Sequence, residues 1–247
     1  MLPMQVGGGR RSNESAIREF LHRVVHYDHM DLEYTFWQMF YLCVAPARVY
    51  RTTKLHKQTK NQWARDDPAF LVVLVSMVAV ASLAYAVAFR ASSVWVYLRV
   101  VLSAIVFDFF VIGACIATVA WWFANTKLRV PPTVHNVEQR VEWMYAFDVH
   151  CNSYFPLFLV IYVAQFFLIP LLLKEPCFLC TFLANTLYAC ACCYYWYITF
   201  LGYQVLPFLT KTTIFLYPCV GVGGLYVVGL VTRTNISVWI LSMYFGH

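Results

Sequence analysis

The chain has 247 residues, of which 61% are apolar, 18% aromatic and only 12% charged, with a formal net charge of +6, and its mean hydropathy is +0.62. A soluble domain carries roughly 45–50% apolar and about 25% charged residues, so this composition excludes an ordinary water-soluble globule and makes lipid the main solvent. Residues 1–68 hold ten of the 18 Lys and Arg, whereas the apolar stretches between Ala69 and Thr232 hold almost none.

Residues 1–15 read as a flexible arm, with Gly7, Gly8 and Gly9 followed by Arg10 and Arg11. They are too short and polar for the apolar core of a cleavable signal peptide, so insertion is expected to rely on internal helices. Residues 16–68 form an amphipathic, basic region before the first span. Ile17, Phe20, Leu21, Val24 and Val25 share one helical face, and Arg18, His22, Arg23 and His26 take the other, the pattern of an interfacial helix or of one packed on the bundle's end. His22 and His26 read as a solvated face rather than a metal pair. A second stripe, Leu32, Phe36, Met39, Phe40 and Cys43, ends at Pro46; at about fifteen residues, or roughly 22 Å, it is too short to cross a bilayer and is expected to lie in the interface or dip into it. Arg48, Arg51, Lys54, Lys57, Lys60 and Arg65, with Trp63 among them, then form a juxtamembrane cluster that attracts anionic headgroups at about 1 kcal/mol per residue. The same chemistry suits RNA phosphates, with Tyr50 and Trp63 to stack on bases. Asp66 and Asp67 before Pro68 suit a helix start.

Five spans are expected within residues 69–232. Ala69–Phe89 is free of charge and long enough, at about 31 Å, for the roughly 30 Å hydrocarbon core. The second runs from Val100 to Ala124, interrupted by Asp108 and closed by an aromatic belt at Trp121, Trp122 and Phe123. The third, Tyr154–Leu173, and the fourth, Cys177–Ile198, form a tight hairpin through Lys174, Glu175 and Pro176. The fifth, Thr212–Val231, is expected to kink at Pro218 and its glycines. The polypeptide is thus an all-α polytopic bundle with interfacial N-terminal helices, ending in a tail, 233–247.

With the N-terminus in the cytosol, that side carries fourteen Lys and Arg against four opposite. The positive-inside rule therefore predicts a cytosolic N-terminus and a lumenal C-terminus. Asn235, Ile236 and Ser237 form a glycosylation sequon too close to the bilayer for use.

Asp108 is the acidic residue well inside a span, and an ionisable group there is a functional candidate by default. Depth along the helices places Gln165 and Asn185 at a similar level, so the three are expected to form either a structural polar clasp or part of a proton or ion path. Glu142, Trp143, Tyr145, Asp148, His150 and Asn152 crowd the start of the third span without the spacing of a closed zinc site. Most of the nine cysteines read as small apolar side chains. Cys177 and Cys180 are the one motif-like pair, open to oxidation but more simply read as cysteine enrichment, and Cys190, Cys192 and Cys193 are candidates for acylation. No phosphate loop, nucleophile elbow, zinc-protease motif or cofactor-binding pattern is present.

Three strings carry a family likeness: His56 to Phe70, HKQTKNQWARDDPAF; Tyr145 to His150 with Asn152, Phe155 and Pro156; and Thr199 to Tyr203 with Leu206 to Leu209. Together they resemble the signatures of the uncoordinated-fifty (Unc-fifty) family of Golgi multipass membrane proteins, in order and spacing over roughly residues 30–245. The resemblance implies five membrane helices, a cytosolic N-terminus, residence in Golgi or early secretory membranes, a part in the surface delivery of receptors such as nicotinic acetylcholine receptors, association with large Arf guanine-nucleotide exchange factors, and RNA binding. The first thirty residues and the cysteine-rich fourth span lie outside it.

Under the charge-derived topology all three strings fall on the cytosolic face. The leading reading is therefore a non-catalytic trafficking adaptor whose partner and lipid contacts come from Arg48, Arg51, Lys54, Lys57, Lys60, Trp63, Arg65, Asp148, His150 and Tyr203. The alternatives are a small transporter or channel using Asp108 and the fifth span, and a membrane enzyme using His150 and Asp148.

Overall fold

Within lipid a backbone has no water to bond, so a spanning segment must pair its own N–H and C=O groups, and the helix does so locally. The computed structural model describes residues 31–52, 63, 65, 67–130, 139–174 and 177–246. The arm, the helix over 17–25 with His22 and His26, and Lys54, Lys57 and Lys60 lie outside the described residues. Among those described, the elements are α1 (Leu32–Val44), α2 (Ala69–Ala88), α3 (Val94–Leu128), α4 (Trp143–Leu172), α5 (Phe178–Gln204), α6 (Thr212–Val231) and α7 (Ile236–Phe245). Helices α2 to α6 are long and apolar enough to cross a membrane. They confirm the five expected spans.

The boundaries of α2 and α6 match the sequence reading closely. Helices α3 and α4 are longer, because apolar windows stop at Arg99 and at the polar residues 142–152, whereas the helical backbone continues through them. Parts of both helices wind in wider π turns, Ser103–Val111 and Ala124–Leu128 in α3 and Leu159–Ala164 in α4. Such turns are rare and concentrate at functional sites. In α6 the first turn is a tight 3-10 segment, Thr212–Leu216, and regular helix resumes at Pro218, whose missing N–H costs nothing in a first turn.

Helix α1 is capped by Asp31, whose side chain accepts from the Tyr34 N–H at 2.9 Å. Thr35, Gln38, Met39 and Leu42 face inward, while Leu32, Phe36, Phe40 and Val44, four apart, are exposed. A helix with one packed face and one exposed apolar row, only about 20 Å long, is suited to lie along a bundle within one leaflet. After Ala45 the chain is helical again over 46–52, burying Val49 and Tyr50 and leaving Arg48 and Arg51 exposed. The Arg48 guanidinium stacks over the Tyr41 ring at 4.7 Å. Asp67 joins the two helix starts, accepting from the Asp31 N–H at 2.8 Å and the Ala69 N–H at 2.9 Å.

The main core lies where α1, α2, α3, α4 and the end of α5 meet, around Leu42, Phe70, Phe109, Phe158 and Ile198. The starts of α2, α4 and α6 and the ends of α3 and α5 share one end of the bundle, called here the basic end because Arg65, Lys127, Arg129 and Lys211 gather near it. There the chain after α5 is tied to the end of α3 by two bonds, Val130 N–H to Phe208 C=O at 3.0 Å and Thr210 N–H to Leu128 C=O at 2.8 Å.

Residues 236–245, part of the expected tail, form α7, whose ten residues are too few to register as a span. Its cap is Asn235, which accepts from the N–H groups of Ser237 and Val238 at 3.0 and 3.3 Å and donates to the Leu172 carbonyl at 2.7 Å. Asn235 is buried, so its amide is not free for glycosylation in the folded chain. Asn185 adds a second clamp, accepting from the Ile236 N–H at 3.0 Å and donating to the Thr234 carbonyl at 2.9 Å. At the helix's other end Phe245 stacks on Phe89, with centroids 4.6 Å apart. Helix α7 is therefore strapped to α4 and α5 at its start and to α2 at its finish.

Candidate functional site

Two regions concentrate polar side chains, one at the basic end and one inside the bundle. At the basic end, Arg65, ahead of α2, lies against α4. Its Nη2 reaches Asp148 Oδ1 at 3.1 Å and donates to Asn152 Oδ1 at 2.7 Å, and the guanidinium carbon sits 4.2 Å from the centre of the Phe70 ring. Gln38 of α1 donates to the same Asn152 oxygen at 3.4 Å. Asp148 and Asn152 present to Arg65 together because they are one helical turn apart. Both members of the ion pair keep side-chain exposures of 17%, so the pair is screened from water without being sealed from it.

Around this knot the aromatic residues of the signature strings interlock. The Tyr145 hydroxyl donates to the Gly202 carbonyl at 2.6 Å, Trp63 packs edge-on against Tyr145 and Phe208, and Tyr203 stacks on Phe215 at 4.2 Å. Gly202 is required by close approach: a Cβ there would meet both Val149 methyls at 2.8 Å. Ser153 and Thr199 hydroxyls join α4 to α5 at 3.0 Å. Tyr50, 3.2 Å from that Cβ position, is buried in the same layer, and burial pushes its phenol pKa well above the usual value. The three strings thus meet each other directly. Of the expected contact set, Trp63 and Tyr203 are buried and hold this surface together, His150 is buried inside the bundle, and Arg48 and Arg51 stand exposed.

His150 and Asp148, two residues apart, point in different directions. The His150 ring leaves the knot, meets the Tyr195 hydroxyl through Nδ1 at 2.8 Å and packs against Phe109 and Phe147. The structure therefore does not bring the two together as an acid–base or metal pair.

Inside the bundle, α2, α3, α4, α5 and α7 line a cavity of about 640 Å³. Asp108 lines it, and the expected Asp108, Gln165 and Asn185 cluster does not form. Asp108 Oδ2 instead accepts from the Tyr162 hydroxyl at 3.0 Å and from the Tyr244 hydroxyl. Gln165 accepts from the Ser237 hydroxyl at 3.4 Å, and Asn185 serves the α7 clamp. Asp108 and Gln165 line the same cavity, so their depths agree, but each takes its hydrogen bonds from other residues, Asp108 from two tyrosines and Gln165 from α7. The signals that were available are the Asn235 cap three residues ahead of an apolar run and the tyrosines at Tyr162 and Tyr244.

Cys177 and Cys180 pair as a disulfide at the end opposite Arg65, where cysteine enrichment was the simpler expectation. Cys190, Cys192 and Cys193 lie midway along α5, away from either end where acylation takes place.

Five spans, a lipid-suited partial helix and an interlocked polar end define a polytopic α-helical membrane protein. The profile of the UNC-50 family matches residues 20–245, and the chain belongs to that family. Relatives include the protein unc-50 homolog of Dictyostelium discoideum, 53% identical over 93% of this chain and 88% of its own length. Protein unc-50 of Caenorhabditis elegans is 41% identical over 95% and 76%, and the Homo sapiens homolog 38% identical over 92% and 86%. No solved structure matches the chain.

Proposed function

We propose that the chain is a non-catalytic protein of Golgi or early secretory membranes that supports vesicular transport and the surface delivery of client receptors, recruiting an Arf exchange factor to a cytosolic basic end. The observation that carries this reading is the convergence of three sequence-distant polar strings on the Arg65, Asp148 and Asn152 knot. Such a knot fixes the positions of α1, α2, α4 and α5 at one end and so presents Arg48 and Arg51 on a surface of defined shape. Family membership supports the placement in trafficking, and the excess of cationic residues on this end supports its cytosolic orientation.

The test is co-purification from Golgi membranes with Arg48→Glu and Arg51→Glu. Both side chains are exposed, so the fold is expected to persist. The reading predicts loss of exchange-factor recovery with unchanged protein level. Full recovery removes the recruitment surface, and exclusive residence in another compartment removes the trafficking role.

A further inference from the structure

A carboxylate within a membrane bundle is costly unless charge or hydrogen bonds answer it. Asp108 receives both of its hydrogen bonds, from Tyr162 and Tyr244, on Oδ2, and Oδ1 has no donor among the described residues. No cation among the described residues forms an ion pair with it. The rest of the wall is mainly apolar and aromatic, Tyr85, Tyr154, Tyr162, Tyr188, Tyr244 and Trp196 among it, with Arg99, His150, Gln165 and two serines as its other polar members. Two of these hydroxyls, on Tyr154 and Tyr188, are buried and make no hydrogen bond of good geometry. A half-answered carboxylate ringed by aromatic faces is the arrangement that holds an ammonium group, through charge and through the negative faces of the rings.

The rim says where such a group comes from. Phe107 and Met243 line the cavity and are exposed at 58% and 63%. They stand on α3 and α7, so the opening lies on the side of the bundle and is bordered by apolar side chains, as a doorway to hydrocarbon rather than to water. Arg99, also exposed, lines the same cavity about two and a half turns before Asp108 on α3. The volume lies within the roughly 300–1,000 Å³ range of sites that enclose small ligands.

We propose that the cavity binds a membrane lipid with an ammonium head, seated against Asp108 within the tyrosine ring, its chain leaving sideways between Phe107 and Met243. Two lipid sources share this chemistry: a long-chain amine, which has the ammonium alone, and a zwitterionic phospholipid, whose phosphate would fall to Arg99.

Thermal unfolding of the detergent-purified full chain tests it, with sphingosine, phosphatidylcholine, phosphatidylglycerol and a long-chain alcohol as probes. The expected result is a rise in Tm with at least one ammonium lipid, none with the anionic lipid or the alcohol, and abolition of the rise in Asp108→Asn. Arg99→Ala separates the sources: a phosphatidylcholine rise in the unaltered chain that this change abolishes assigns the phospholipid, whereas a rise with sphingosine and none with phosphatidylcholine, unchanged by Arg99→Ala, assigns the amine. Met243→Trp narrows the doorway without touching a polar group and serves if Asp108→Asn does not fold; it is expected to reduce the Tm rise at least tenfold in lipid potency. Equal stabilisation by the alcohol, or an undiminished rise in both Asp108→Asn and Met243→Trp, overturns the proposal.

Discussion

Gly113 of α3 leaves the space that the His150 ring of α4 occupies: a Cβ at position 113 would stand 2.1 Å from His150 Nε2 and 2.5 Å from its Cδ2. The ring is held against moving away, since Nδ1 is engaged by Tyr195 and tilted contacts with Phe109 and Phe147 crowd it. Gly113→Ala is therefore expected to destabilise the bundle by about 1–3 kcal/mol, the usual cost of overpacking. Unfolding of the purified variant measures it. Combining Gly113→Ala with His150→Ala should cost less than the sum of the two single changes, because the clash and its object are removed together. Additive effects would show that the two residues do not meet.

Arg65→Ala leaves Asp148 without its counter-charge and Asn152 without its shortest donor. Breaking a fully buried pair costs roughly 3–5 kcal/mol. The partial exposure of this pair reduces the expected loss to about 1–3 kcal/mol. Asp148→Asn keeps a hydrogen-bond acceptor opposite Arg65 and should cost less than Arg65→Ala. The reverse order, measured by thermal unfolding and by protein level in cells, would mean that the knot is not organised around the guanidinium.

The spans were legible because lipid imposes one rule on long segments, and α2 and α6 obey it with little else to confuse the reading. The basic end was half legible. Its strings could be placed on one face by counting charges, but the partnership of Arg65 with Asp148 joins residues 83 positions apart in sequence, which no periodicity encodes. Asp108 was visible as an anomaly and its partners were not, since one of them, Tyr244, sits on α7, a helix that no span-length window reveals. Helix α7 is not legible because ten residues, eight of them apolar, satisfy neither the length of a span nor the polarity of a tail.

Asn185 holds α7 through two backbone bonds, one to the N–H of Ile236 and one to the carbonyl of Thr234. Asn185→Ala removes both, while Asn235 still caps the helix. The start of α7 should then open more often, by about 1–3 kcal/mol for the pair of bonds, and amide exchange over 236–241 should quicken at least about fivefold. Exchange in α2, which takes no part in the clamp, should barely change. Unaltered protection at 236–241 would show that the Asn235 cap holds α7 without the clamp.

Arg51 and the Cys177–Cys180 disulfide lie toward opposite ends of the bundle, and this gives the orientation a chemical test. Disulfides persist in oxidising compartments and are rare in the cytosol, whereas Lys and Arg accumulate on the cytosolic side of spans. Both rules assign the same topology: Arg51 to the cytosol and the disulfide to the lumen. In sealed vesicles with the cytosolic face outward, a membrane-impermeant thiol reagent should label Arg51→Cys without permeabilisation. Cys177 and Cys180 should stay unreactive until the membrane is opened and a reductant is added. Labelling of residue 51 only after permeabilisation would invert the chain, move the Arg65 knot into the lumen and leave a cytosolic exchange factor nothing to bind.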